Sequence, residues 1–111
     1  MALDSRFTGR EEKRLPIMME VKLASAEGAN AERRERGVLE NISALGARVH
    51  AGTSWQLGEK VEVTPAVGEV PLRAEVVYCQ RQSNGKFVLG LKFRRSPELW
   101  SILEKLKGLV R

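Results

Sequence analysis

Residues 70–93 read VPLRAEVVYCQRQSNGKFVLGLKF. Val70, Leu72, Ala74, Val76 and Tyr78 fall on every second position, with Arg73, Glu75 and Val77 between them. That period of two predicts a strand with one buried face. Ser83-Asn84-Gly85 follows, and Asn-Gly suits the positive dihedrals of a type I′ hairpin turn. Phe87, Leu89, Leu91 and Phe93 then alternate through a second strand. An antiparallel hairpin is therefore the unit from which the fold is read.

The same period recurs upstream. Ile17, Met19, Val21 and Leu23 alternate with Glu20 and Lys22, which predicts a half-buried first strand. Ser25–Arg36 reads as a polar loop that ends in the charge run Arg33-Arg34-Glu35-Arg36, expected to be solvated. A strand pattern resumes at Gly37–Ile42. Asn41–Gly46 is rich in turn-forming residues, and Leu45, Ala47 and Val49 then alternate with Gly46, Arg48 and His50. After the connector Ala51–Gly58, Val61 and Val63 share one face of Lys60–Thr64. About six strands at short spacing predict an all-β domain, a small antiparallel barrel or sandwich.

Both ends of the chain depart from this pattern. Ser96 suits a helix N-cap, Pro97 the first helical position, and Glu98 the first turn. Leu99, Ile102, Leu103, Leu106, Leu109 and Val110 recur at helical spacing, so one amphipathic helix of about three turns should close one end of the sheet or pack on a neighbour. Trp100 is expected to pack that helix onto the barrel, and Trp55 to cover a barrel end. Residues 1–14 carry only Leu3 and Phe7 as sizeable apolar groups beyond Met1, and read as a flexible arm before a domain at 15–111.

Composition narrows the chemistry. With 111 residues there is room for one domain. One cysteine (Cys79), one histidine (His50) and one aspartate (Asp4) argue against a disulfide framework, a Cys/His zinc site and a Ser-His-Asp triad. No metal, no cofactor and no enzyme activity are expected. No apolar run approaches the roughly 18 residues of a membrane span, and the N-terminus lacks a signal-peptide stretch. Membrane insertion is not expected, and a cytoplasmic location is. Nineteen Lys and Arg against fourteen Asp and Glu give a net charge of +5. Arginine supplies most of the positive charge and suits bidentate contacts to a phosphate or a guanine edge, so an anionic, nucleotide-like partner fits.

Two short motifs lie within this frame. Arg10-Glu11-Glu12-Lys13-Arg14 has an RxxxR spacing just before the first strand. Asn41-Ile42-Ser43-Ala44-Leu45-Gly46 is an NxSxxG between two strands. In that order, followed by a barrel-plus-helix pattern, they resemble the PilZ domain, a bacterial receptor for the second messenger cyclic di-GMP. The segment LGLKF at 89–93 also looks like that family's final strand. The resemblance runs from about Arg10 to the C-terminal helix, and implies a six-stranded antiparallel β-barrel with a C-terminal α-helix.

Carried over residue by residue, the resemblance implies a ligand site of Arg10, Arg14, Asn41, Ser43 and Gly46; apart from the resemblance, Arg48 is a candidate further contact from its place in the strand after the turn. Arginine forks can bind guanine or phosphate, Asn41 and Ser43 offer an amide and a hydroxyl, and Gly46 allows a tight turn or close approach. Arg6 and Arg10 repeat the RxxxR spacing. The later pair is preferred because Leu15-Pro16 and the strand follow at once, as the family pattern has it. Asn41 and Ser43 also suit a plain turn that bonds local backbone. The expected function is reversible cyclic di-GMP binding, with ordering of the arm as the signal to a downstream protein. Two alternatives are a PilZ-like interaction module without ligand, and a small basic barrel binding single-stranded nucleic acid. The second is disfavoured because only six residues are aromatic, and Phe87 and Phe93 fall in the core pattern.

Overall fold

The computed structural model describes residues 14–26 and 33–109. Six antiparallel strands close into a barrel: β1 (Leu15–Ser25), β2 (Arg34–Ile42), β3 (Gly46–Ala51), β4 (Lys60–Pro65), β5 (Leu72–Arg81) and β6 (Phe87–Phe93). Around the barrel the order is β1-β2-β3-β6-β5-β4, and β4 pairs back onto β1. Closure leaves no free sheet edge, which suits a small chain rich in strand. One helix, α1 (Pro97–Lys107), follows β6.

Alternation places the core. Val21 and Leu23 of β1, Val49 of β3, Val61 and Val63 of β4 and Leu89 and Leu91 of β6 are all buried. Leu99, Ile102, Leu103 and Leu106 of α1 join the same cluster. The helix lies beside the β4–β5 connection, where a Cβ at Gly68 would come within 2.6 Å of Ile102 Cδ1. Ser96 caps it as expected, its hydroxyl accepting from the Leu99 N–H at 3.2 Å. Trp55, in the β3–β4 connection, is 3 % exposed and part of the core cluster.

Five local expectations are corrected. First, β2 begins at Arg34, so the polar loop is shorter than Ser25–Arg36. The charge run is not simply solvated. The Arg33 guanidinium stacks over the Trp55 ring at 3.8 Å and bonds Thr53 and the Ser54 carbonyl. The Glu35 carboxylate accepts from the Gly52 and Thr53 amides, the Thr53 hydroxyl and the Trp55 indole N–H. Arg36 pairs with Glu20 at 3.4 Å. Second, only Gly85 in the β5–β6 turn has a positive φ, +85°. The Gly85 N–H bonds the Gln82 carbonyl, so this is not a type I′ turn but a longer loop with one left-handed glycine.

Third, a bulge in β5 between Val76 and Tyr78 breaks the alternation. Val76 pairs with Leu91, Tyr78 with Gly90, and Cys79 with Leu89. Tyr78 is thereby turned to the outer surface, while Cys79 packs partly against the core. Fourth, Trp100 is 46 % exposed and Leu109 is 55 % exposed. The helix buries the face of Leu99, Ile102, Leu103 and Leu106, and Trp100 projects away from it. Fifth, Phe93 is core but Phe87, at the start of β6, is only half-buried. Val110 lies outside the described residues.

Candidate functional site

The two sequence motifs meet on the outer face of the barrel. Leu15 pairs with Ile42 and Pro16 with Asn41, which sets Arg14 beside the end of β2. Its Nη1–H donates to Asn41 Oδ1 at 2.7 Å, joining residues 27 apart in sequence. Arg10 lies outside the described residues, as does the rest of the arm before Arg14.

A second bulge, between Leu39 and Asn41, inserts Glu40 into β2. Leu39 still pairs with Val49, and Asn41 with Arg48. The Glu40 carboxylate therefore lies on the same face as Arg48 and His50. Its Oε1 accepts from Arg48 Nε–H at 3.2 Å and sits 2.7 Å from His50 Nε2. The hydrogen bond with His50 does most to hold the Glu40 carboxyl below its usual range. Partial burial works against this, and the Arg48 charge adds to it. His50 is thus a surface strand residue, as its position suggested.

Arg48 has two anchors. Besides Glu40, its Nη1–H donates to Tyr78 Oη at 3.0 Å. The Tyr78 ring lies flat on Gly90, where a Cβ would come within 2.1 Å of ring atoms. Register links Pro16, Asn41, Arg48, Gly90 and Tyr78 in one row across five strands. Glu40, Tyr78 and Gly90 were not singled out as site residues from the sequence. The two bulges that bring Glu40 and Tyr78 outward leave no signature in the pattern of residue types.

Ser43 and Gly46 shape the turn beside this row. Ser43 is 2 % exposed, and its Oγ accepts from the Leu45 N–H at 3.1 Å and the Gly46 N–H at 3.3 Å. The Ser43 N–H in turn bonds the Gly46 carbonyl at 2.8 Å. Gly46 is required for close approach: a Cβ there would sit 2.1 Å from the Leu91 carbonyl oxygen. Both residues set the position of Asn41 and Arg48 and keep their own polar atoms within the turn.

The row carries two arginines, an amide and one carboxylate, with a tyrosine hydroxyl. Among the described residues Arg14 bonds the neutral amide of Asn41, and Arg48 keeps N–H donors beyond the two already used. This arrangement can bind an anion and the acceptor edge of a base. Among the described residues, no three His, Cys, Asp or Glu side chains are grouped to hold a metal ion. Among the same residues, no helix is long and apolar enough to cross a membrane.

A family model described as the PilZ domain matches residues 8–110. Among solved structures, the PilZ domain of CeSA from a cellulose synthesizing bacterium shares this fold with a TM-score of 0.59. The two are 22 % identical, and the match covers 89 % of this chain and 99 % of that one. No curated protein matches at a significant level. The family match takes in both motifs, all six strands and the helix, and the chain belongs to the PilZ domain family.

Proposed function

We propose that this PilZ domain binds cyclic di-GMP on the outer-face row of Arg14, Asn41 and Arg48, with Arg10 contributing from the arm. The observation that carries the reading is the Arg14–Asn41 hydrogen bond, which unites the RxxxR and NxSxxG motifs at one place. Cyclic di-GMP presents two phosphodiesters and two guanines. Arg14 exchanges its bond to Asn41 for a charge-assisted contact with a phosphate or a guanine edge. That releases the Asn41 amide for a base or sugar. Arg48, fixed by Glu40 and Tyr78, offers its remaining donors without first having to be ordered. Ser43 and Gly46 act by holding the turn.

The domain acts as a receptor and not as a catalyst. The arm folds onto the ligand and makes a new surface beside the barrel for a protein partner to read. Calorimetry with cyclic di-GMP tests the binding claim. The whole chain should bind in the sub-micromolar to tens of micromolar range, roughly −6.5 to −9 kcal/mol. Arg14→Ala should lose about 1.5–3 kcal/mol of this with little change in melting temperature. Absence of binding by the unaltered chain, or equal binding of Arg14→Ala, contradicts the reading.

A further inference from the structure

A basic groove lies next to the site. It encloses about 450 Å³ and is lined by Lys60, Arg73, Ala74, Glu75, Lys92, Phe93 and Arg94. Two of its cations are already neutralised: Lys60 pairs with Glu75 at 3.4 Å, and Arg73 with Glu62 at 3.2 Å. Lys92 stands opposite Glu75 in the β5–β6 register, but Glu75 is engaged by Lys60. Lys92 and Arg94 therefore have no acidic partner within ion-pair distance among the described residues. Two unpaired cations on one concave surface repel each other and favour an anion between them.

The register ties this groove to the Arg14–Asn41 row. Lys92 pairs directly with Gly46, two residues along β3 from Arg48. The Phe93 N–H bonds the Leu45 carbonyl at 2.9 Å, fixing the end of β6 to the Ser43–Gly46 turn. From Asn41, Lys92 is two strands across and two residues along. At ~4.8 Å per strand and ~3.4 Å per residue, that is roughly 12 Å between Cα atoms. Two long basic side chains can close much of that gap toward an anion seated on the row. No residue of either sequence motif lines the groove.

We propose that Lys92 and Arg94 form a phosphate subsite continuous with the Arg14–Asn41 row, receiving a phosphodiester of the ligand whose other parts contact that row. The inference rests on the cyclic di-GMP reading and adds two specific residues to it. On this account Arg14 and Arg48 face one part of the ligand, and Lys92 and Arg94 hold a phosphate on the far side of Gly46. Lys60 and Arg73 remain in their ion pairs and set the groove's width.

The test compares two charge-matched double variants in the full chain, titrated with cyclic di-GMP at low and high salt. Lys92→Gln with Arg94→Gln removes the subsite. Arg81→Gln with Lys86→Gln removes the same charge at the far end of β6. The first should bind about ten-fold more weakly at low salt, with the difference shrinking at high salt. The second should stay within about two-fold of the unaltered chain. Matched melting temperatures exclude misfolding as the cause. If the unaltered chain binds and both variants bind alike, the subsite is wrong and the reading of the row stands. If the unaltered chain does not bind, both fall together.

Discussion

The Ser43 hydroxyl accepts from two backbone amides inside a turn that leaves it 2 % exposed. Removing it strands two N–H groups where water has little access. Ser43→Ala should therefore lower stability by about 1–3 kcal/mol, read as a drop in melting temperature, and weaken ligand binding only through the loosened turn. Gly46→Ala should cost more, because its methyl meets the Leu91 carbonyl oxygen at 2.1 Å and two paired strands must part. An unchanged melting temperature in both variants removes the structural role given to this turn. The sequence pointed to these positions through the NxSxxG spacing. It could not say that Ser43 faces inward, because a buried hydroxyl in a turn and an exposed one on a ligand leave the same letters. The Arg14–Asn41 contact was legible only as two motifs: their meeting depends on the β1–β2 register, which is a long-range property.

At the level of elements, alternation carried the barrel strands well and failed where a residue was inserted. Between Val76 and Tyr78, and between Leu39 and Asn41, the bulges shift the register, and a one-residue shift turns every later side chain to the other face. Tyr78 consequently read as core and stands outside, bonded to Arg48. The charge run at 33–36 read as solvated because pattern alone does not show what a loop folds against. Its Glu35 ties β2 to the β3–β4 connection. Burial raises the Glu35 carboxyl, but the hydrogen bonds from Thr53, Gly52 and Trp55 together bring it below the usual value. A carboxyl whose folded value is depressed contributes stability above its unfolded value and loses it as pH falls through the folded one. Thermal melts of the unaltered chain should therefore decline through the acid carboxylate range. Glu35→Gln should be about 1–3 kcal/mol less stable near neutral pH, since an amide turns donors toward donors, and its acid decline should be shallower. Parallel declines in the two proteins would show that Glu35 is not the group responsible.

At the scale of the whole molecule, the proposed function divides the work between the barrel, which carries the site, and the sequence before it, which would close on the ligand. The barrel is closed, its core continuous with α1, and Arg48 is anchored on both sides. Residues 1–14 carry Arg6, Arg10, Lys13 and Arg14 against Asp4, Glu11 and Glu12, with little apolar surface. Fixing each such residue costs about 1–2 kcal/mol of backbone entropy, which contacts to a doubly negative ligand can offset in part. Trypsin cleavage after Arg10 and Lys13 should slow several-fold at saturating cyclic di-GMP, with cleavage around Arg33–Arg36 changing less. Unaltered cleavage at Arg10 and Lys13, with binding confirmed, contradicts ordering of the arm.

The central claim is that cyclic di-GMP sits on the face where Arg14, just before β1, meets Asn41 of β2, Arg48 of β3 and Gly90 of β6. Titrating isotope-labelled protein with cyclic di-GMP and following backbone amide resonances tests the claim directly. Saturable shifts are expected at Arg14, Asn41–Arg48 and Gly90–Lys92, with Glu62 and Thr64 on β4 unmoved. No shifts at millimolar ligand, or shifts centred on the β3–β4 connection around Thr53–Gly58, would contradict it.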